Sequence, residues 1–438
     1  MLILVGAILL SLPFATRSGE SAGFINGLFT ATSAVCVTGL VVVDTGTFWS
    51  PIGQTIIMVL IQMGGLGIMT FSTMLALLVG RKITLKERLL LQEAFNQFEL
   101  EGMVRLTKRI IIAAFTFEFI GAILYALVFI PQFGWIKGSY MGIFHSVTAF
   151  CNAGFDIMGQ YTGPFSSFTS YVNNPIININ TMLLIIIGGL GFSVWIDVYD
   201  AIKKRNLSEL SLHSKVVLTL TVSLILFGAL FVFVMEINNA DTIKNLPLQG
   251  KILASFFQSV TPRTAGFNTL NLTSLTLPTT FLTIIYMFIG GSSGSTAGGI
   301  KTGTVGILIF TIISVVRGRE DTEVYRKRIP KYLVYRALAV ALIAFIIVVV
   351  ATMVLSIAEA PYNQADFQTL LFEATSAFGT VGLTMNYTPN LTLAGRIIII
   401  ICMFAGRVGP LSLVLAFSRN ANQNKSPIKY PEDRIMVG

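Results

Sequence analysis

Four short runs of this chain share one design: VCVTGL at 35–40, FCNAGF at 150–155, RTAGFN at 263–268 and GTVGLT at 379–384. Each sets a glycine (Gly39, Gly154, Gly266 or Gly382) behind Val37-Thr38, Asn152-Ala153, Thr264-Ala265 or Thr380-Val381. Such runs offer little side-chain reactivity, but their backbone carbonyls can turn to one side and line a pore with oxygen, the ligand that replaces a cation's hydration shell. The glycines lie 115, 112 and 116 residues apart, and Phe29, Phe144, Phe256 and Phe372 each precede one by ten positions. A period of about a quarter of the chain is an internal repeat, and internal repeats set architecture.

The elements that must hold these runs sit in a lipid solvent. Of 438 residues, 54% are hydrophobic and 12% charged, against roughly 25% charged in a soluble domain, and the mean hydropathy is +0.77. Apolar runs at 52–79, 110–130, 176–199, 216–235, 281–316, 338–358 and 397–417 supply the ~20 residues a spanning helix needs. The run at 1–13 is shorter and reads as the end of a first helix, because no basic region precedes it as in a signal peptide. Eight helices result, two per repeat.

Twenty-two of the 30 Lys and Arg residues fall in four clusters: 81–109, 203–215, 317–336 and 419–434. The positive-inside rule makes these loops cytoplasmic and puts the four glycines on the external side. The formal charge of +9 is then an address within the membrane. No aromatic platform lies among the basic residues, so nucleic-acid binding is not implied.

Between the helices of each repeat lie elements at 22–35, 139–150, 250–260 and 365–378, too short to cross a bilayer and so expected to re-enter it. Non-helical backbone survives at that depth only against protein or a water-filled cavity. Four such segments around one axis would supply that cavity, and the negative ends of the short helices would favour cations there. The reading is an all-α integral membrane protein of four helix, pore helix, helix (M1-P-M2) units around one central pore, with eight transmembrane helices, the first truncated. Its divisions are repeat 1 over 1–80 (pore helix 22–35, filter 36–40), an amphipathic cytoplasmic segment at 81–106, and repeat 2 over 107–202 (filter 151–155). Repeat 3 follows over 203–318 (filter 263–267, intramembrane loop 290–304), then repeat 4 over 319–418 (filter 379–383) and a cytoplasmic tail at 419–438.

The second helices carry Gly64-Gly65-Leu66-Gly67, Gly188-Gly189-Leu190-Gly191, Gly290-Gly291 and Ala405-Gly406. In the first two, small residues are expected to serve close helix packing. The third opens a run that no helix would favour: Gly290, Gly291, Ser292, Ser293, Gly294, Ser295, Thr296, Ala297, Gly298 and Gly299, followed by Ile300, Lys301 and Thr302-Gly303-Thr304. Six glycines at about 1 kcal/mol each relative to alanine should split the span into two half-helices joined by a loop facing the pore. Gly294, Gly299, Lys301 and Thr302 nearly spell a phosphate-binding loop, but Ile300 displaces the lysine and no strand precedes it. Lys301 and Arg407 are the charges most costly at this depth, where ionisable residues mark an ion path or a gate.

Thr380-Val381-Gly382 matches the core of potassium-channel filters, and the other three runs look like weaker copies of it within one polypeptide. With four repeats and eight helices, the chain resembles the Trk/Ktr/HKT superfamily of potassium transporters over essentially its whole length, and most closely the KtrB-type membrane subunits of bacterial Ktr systems. The resemblance implies K⁺ uptake through a gated filter, with a serine at the position of Gly39 going with Na⁺ permeation. It implies that the loop from 290 obstructs the pore and that Arg407 contacts it. It also implies a homodimer in the bacterial plasma membrane, both termini cytoplasmic, docked on an octameric cytosolic ring of RCK-type KtrA subunits that bind ATP or ADP. Na⁺ is left open as an activator or a co-transported ion. Leu40, Phe155, Phe267 and Leu383 stand where the channel signature continues, so a shorter carbonyl ladder and looser selectivity are expected.

Other candidates are weaker. Cys36 and Cys151 lie three before a filter glycine, but Arg263 and Gly379 hold the matching positions, so neither a disulfide nor a metal set is implied; Cys402 reads as a small apolar residue. His145 and His213 have no companions for metal or acid–base work, and no catalytic constellation is visible. Glu118 should find a partner within its helix bundle, and Asp197 and Asp200 read as solvated. Asp44, Asp156, Asp366 and Glu373 form either a cation-concentrating or a merely solvated outer rim. Leu90, Leu91, Ala94 and Phe98 share one face of the 81–106 segment, which suits ring docking or a membrane surface. The competing function is a cation-coupled secondary transporter (a K⁺/Na⁺ symporter) with a midplane site. A Gly39→Ser variant should lose its preference for K⁺ over Na⁺ in K⁺ or Rb⁺ uptake into proteoliposomes; a retained preference would count against Gly39 as a filter residue.

Overall fold

In a computed structural model, which describes residues 1–67, 103–361 and 365–409, one order of elements recurs four times: outer helix, half-length helix, turn, inner helix. The first quarter holds α1 (Leu2–Ser11), α2 (Phe24–Val35) and α3 (Pro51–Leu66). The second holds α4 (Met103–Phe133), α5 (Trp135–Phe150), α6 (Pro175–Leu190) and α7 (Phe192–Lys203). The third holds α8 (Leu212–Glu236), α9 (Leu248–Val260), α10 (Leu277–Phe288) and α11 (Thr302–Val316). The fourth holds α12 (Lys331–Glu359), α13 (Phe367–Gly379) and α14 (Leu393–Val408). An antiparallel hairpin of two two-residue strands, β1 (Glu323–Val324) and β2 (Lys327–Arg328), joins α11 to α12. The amphipathic segment's apolar face, the tail at 419–438 and the far ends of the 52–79 and 397–417 runs lie outside the described residues.

Of the described helices, α4, α8 and α12 are long and apolar enough to cross a membrane. The inner helices are not, because each breaks. α3, α6 and α14 are each 16 residues long and end at Gly67, Gly191 and Gly409, with φ of 84°, 94° and 90°, a region that favours glycine. The expected continuous span at 176–199 is therefore two helices, α6 and α7, bent by 99° at Gly191. Interruption was expected only in the third repeat; the second shares it, at the single glycine Gly191, and in the first and fourth the helix ends at Gly67 and Gly409, beyond which the described residues stop. In the third quarter the expected loop 290–304 is shorter, since Thr302–Thr304 already form the first turn of α11.

The inner helices start alike. Ser50, Asn174 and Thr392 accept the amide hydrogens of Gly53, Ile177 and Gly395 at 3.1 Å, and Pro51, Pro175 and Pro278 lie in the first turns of α3, α6 and α10. Such capping satisfies N–H groups that lipid could not. In the last two quarters a further acceptor comes from the outer helix. Glu236 ends α8 and accepts Thr276 N and Oγ1 at 2.9 and 2.7 Å; Glu359 ends α12 and accepts Thr392 N and Oγ1 at 3.1 and 2.7 Å. Both are buried and place negative charge at a helix N-terminus, where the dipole favours it.

Packing of the half-length helices against the inner ones explains the other repeated glycines. A Cβ at Gly64, Gly188 or Gly406 would strike the carbonyl oxygen of Val35, Phe150 or Phe378, each at or beside the end of its own quarter's half-length helix. Close approach was the role expected for the first two glycines, though the partner is a helix end rather than a helix side. Phe29, Phe144 and Phe372, each ten residues before its glycine, are fully buried; in the third quarter the fully buried one is Phe257, not Phe256.

Alanine at Gly188 or Gly406 should lower stability by about 1–3 kcal/mol, the cost of overpacking against fixed backbone. Gly303→Ala should be tolerated, since its Cβ would find only His213 Cε1, at 3.9 Å. Thermal unfolding of the purified variants in detergent separates the two outcomes.

Candidate functional site

Each half-length helix runs straight into one of the four glycine turns, which share a backbone form rare outside glycine. Val37, Asn152, Thr264 and Thr380 have φ of 57°, 58°, 69° and 50°, and Gly39, Gly154, Gly266 and Gly382 have 91°, 66°, 84° and 90°. The residue between, Thr38, Ala153, Ala265 or Val381, has negative φ. Alternation of hand turns successive carbonyls to the same side. The amide hydrogens go the other way: Thr38, Ala153 and Val381 donate to Ser33, Thr148 and Ser376 carbonyls at 2.7, 2.8 and 2.9 Å, and Ala265 donates to Thr261 at 3.0 Å. Donors are thus spent on the helix ends and acceptors remain for the axis.

The turns close into a ring. A Cβ at Gly39 would meet the carbonyl oxygen of Ala153; at Gly154, that of Ala265 at 2.7 Å; at Gly266, that of Val381 at 2.6 Å; at Gly382, that of Thr38. Each glycine leans on the carbonyl of the next quarter, and the fourth returns to the first. No side chain fits there, so glycine is required by close approach as well as by φ. Thr38, Thr264 and Thr380 are fully buried with hydroxyls that bond to no protein group among the described residues, so they do not brace the turns. A hydroxyl oxygen so placed suits a cation or water.

A cavity of about 330 Å³ opens on one side of the ring, lined by all four glycines together with Asp44 and Asp156. Asp44 is not a solvated rim residue: it accepts Thr47 N and Phe165 N at 2.7 and 2.8 Å and ties the first quarter to the second. Glu373 is fully buried and accepts Met385 N at 3.0 Å and the hydroxyls of Thr384 and Thr388 at 2.5 Å, holding the chain that leaves the fourth turn. Asp366 caps α13 through Thr369 N at 3.0 Å. Of the four acids expected at the mouth, only Asp44 and Asp156 line the cavity. His145, buried in α5, accepts Ile157 N at 3.4 Å and so props the second turn's exit.

On the other side of the ring lies the intramembrane loop, residues 289–301. Its two ends pair, Ile289 against Ile300, with Gly290 N to Ile300 O and Thr302 N to Gly291 O both at 2.9 Å. Gly298 packs against the Thr380 side chain, immediately at the fourth turn. The tip is held by the open end of α6: Ser292 N donates to Gly189 O at 2.9 Å, Thr296 N to Gly188 O at 3.2 Å, and Thr296 Oγ1 to Phe150 O at 3.2 Å. Phe192 N returns a bond to Gly294 O at 2.8 Å. Ser295 bonds within the loop, to Ser292 O at 2.6 Å.

Lys301 and Arg407 both meet this loop. Arg407 donates to Thr296 O at 2.5 Å and, through its other terminal nitrogen, to Gly64 O; Lys301 donates to Ala297 O at 2.6 Å. Arg407 occupies the position that Gly65, Gly189 and Gly291 hold in the other quarters. Sequence reasoning gave Arg263 no role, yet it is buried beside the third turn and bonds Thr221 Oγ1 at 3.3 Å.

Remaining candidates fall into structural places. Gln62 of α3 donates to both oxygens of Glu118 at 2.8 and 3.1 Å, the partner that acid required. Asp197, read as solvated, accepts Ser211 N at 2.9 Å, and His213 reaches Ser292 Oγ at 3.4 Å from the first turn of α8. Cys36, Cys151 and Cys402 are free and buried, and no group of three or more metal-ligating side chains occurs among the described residues.

A family model for TrkH, described as a cation transport protein, matches residues 4–427. The chain is 43% identical over 436 residues to the Ktr system potassium uptake protein B of Bacillus subtilis, covering all of this chain and 94% of that one. It is 42% identical over 440 residues to the potassium/sodium uptake protein NtpJ of Enterococcus hirae, covering all of this chain and 95% of the relative. Its fold matches the potassium transporter TrkH of Vibrio parahaemolyticus with a TM-score of 0.73 at 16% identity, over 97% of this chain and 83% of the other. A ring of four glycine turns within a bundle of apolar helices and a match along nearly the whole length lead to one conclusion: this membrane protein belongs to the TrkH family of cation transport proteins.

Proposed function

We propose that this chain takes up K⁺ across the bacterial plasma membrane through a filter made by the carbonyls of the four turns, Val37 to Gly39, Asn152 to Gly154, Thr264 to Gly266 and Thr380 to Gly382. The observation that carries the reading is the closed ring, in which each glycine touches the carbonyl of the next quarter. A dehydrated alkali-metal cation needs several oxygens at once, and a ring of backbone carbonyls supplies them without charge. The relatives named for potassium and for potassium/sodium uptake support K⁺ as the main ion, with Na⁺ as a second ion or an activator.

The loop at 290–301 is the gate. It blocks the inner side of the ring at Thr380 and is latched by Arg407, whose guanidinium also places positive charge in the cation's path. Burying a guanidinium against carbonyl oxygens satisfies its donors while leaving its charge unneutralised, and that charge repels K⁺. Displacement of the loop opens the path. Two such chains form a homodimer, and a cytosolic KtrA-type ring that binds ATP or ADP drives the displacement from the basic, cytoplasmic end, where both termini lie. The Ktr name of the Bacillus relative supports that partner.

Deleting 293–299, or Arg407→Ala, should raise K⁺ flux into proteoliposomes about tenfold, the worth of one charge-assisted hydrogen bond lost from the closed state. Unchanged flux and unchanged regulation in both variants would remove the gate from the mechanism.

A further inference from the structure

The remaining intramembrane cation, Arg263, is the one whose environment is least complete. It stands three residues before Gly266, where the other quarters have Cys36, Cys151 and Gly379. Its side chain is 8% exposed, one terminal nitrogen donates to Thr221 Oγ1 at 3.3 Å, and its Nε bonds to nothing. Among the described residues no carboxylate pairs with it. A guanidinium carries five donors, and an unpaired charge at this depth is costly enough to mark function.

What Arg263 faces narrows the function. With Thr221 it lines a cavity of about 10 Å³ whose wall includes Gly189 of α6 and Gly291 of the loop. Because α6 breaks at Gly191, the carbonyls of its last turn have no helical partner. Those of Gly188 and Gly189 are satisfied by Thr296 N and Ser292 N of the loop. When the loop leaves, these two oxygens lose their donors, and the partial negative charge at the end of α6 is exposed beside a cation with donors to spare.

We infer that Arg263 is the latch of the open state: as the loop withdraws, its guanidinium leaves Thr221 and donates to the Gly189 carbonyl that Ser292 has vacated. Arg407 and Arg263 are then opposed. The first bonds the loop and holds the pore closed; the second bonds the loop's former anchor and holds it open. Arg263 is a positioning residue that touches neither the filter carbonyls nor the permeating ion. The inference rests on the reading of the loop as a gate.

Four variants in proteoliposome K⁺ flux assays test it. Arg263→Gln should lower flux about tenfold, since one charge-assisted bond is lost from the open state, with Arg263→Lys restoring part of it. Thr221→Val should raise flux, because it takes from the closed state the only side-chain bond Arg263 makes there among the described residues. Arg407→Ala, run alongside, should raise flux and thereby test the gate itself. A merely structural Arg263 would make Arg263→Gln and Thr221→Val change flux in the same direction, and that result overturns the inference, as does unchanged flux in Arg263→Gln. Should Arg263→Gln fail to fold, unchanged or lowered flux in Thr221→Val overturns it alone. Flux raised by Arg407→Ala but not lowered by Arg263→Gln removes the latch and leaves the gate; flux raised by neither Arg407→Ala nor Thr221→Val removes both.

Discussion

Everything in this molecule depends on how backbone hydrogen-bonding groups are satisfied where there is no water. In hydrocarbon an unpaired N–H or C=O is costly, so chain that is neither helix nor closed sheet must be wrapped in protein or face an aqueous path. The four turns meet that demand asymmetrically. Their N–H groups bond the ends of the half-length helices, and a carbonyl of each turn lies against the glycine of the neighbouring quarter. A surface that accepts and does not donate follows directly, and it is a surface for cations.

The same constraint explains the loop beneath. Breaking an inner helix at a glycine leaves the carbonyls of its last turn without donors. In α3 the freed Gly64 oxygen receives Arg407; in α6 those of Gly188 and Gly189 receive the amides of Thr296 and Ser292. The loop is thus docked on the loose ends of its neighbours through a handful of polar bonds. Such an attachment can be released as a unit, which a packed helix cannot. The quarters are alike at the glycine turns and unlike where they hold the loop: the first and second contribute open helix ends, the third contributes the loop, and the fourth contributes an arginine where the others have glycine.

Much of this was legible in the residues because lipid permits few options. An apolar run of a given length is a span, and a run too short to span that ends in small residues must turn back. The half-length helices accordingly begin and end within four residues of their expected positions. Gly290 to Gly299 could be read as a break because six glycines between 290 and 303 leave no alternative. Gly67, Gly191 and Gly409 could not, since one glycine in an apolar run is compatible with a continuous helix and only its φ shows otherwise. Glu236 and Glu359 passed unnoticed for a similar reason: an acid at the end of a long helix is ordinary until the cap it serves, 40 or 33 residues on, is seen beside it. Asp44 and Glu373 were expected at a cation-concentrating or solvated rim; both are buried acceptors and only Asp44 lines the cavity, because residue type gives no measure of burial.

By itself the sequence determined the solvent, the fourfold order and the four places where backbone oxygen must replace side-chain chemistry, for these follow from local composition and spacing. Only the tertiary structure decided that the turns close in the order first, second, third, fourth and back to the first. It alone also decided which carbonyl each buried charge would meet. Thr296 and Gly64 lie 111 and 343 residues from Arg407, and no pattern in the chain pairs them. They meet because broken helices from different quarters present unfilled acceptors at one depth, a property of the assembled bundle that no single segment carries.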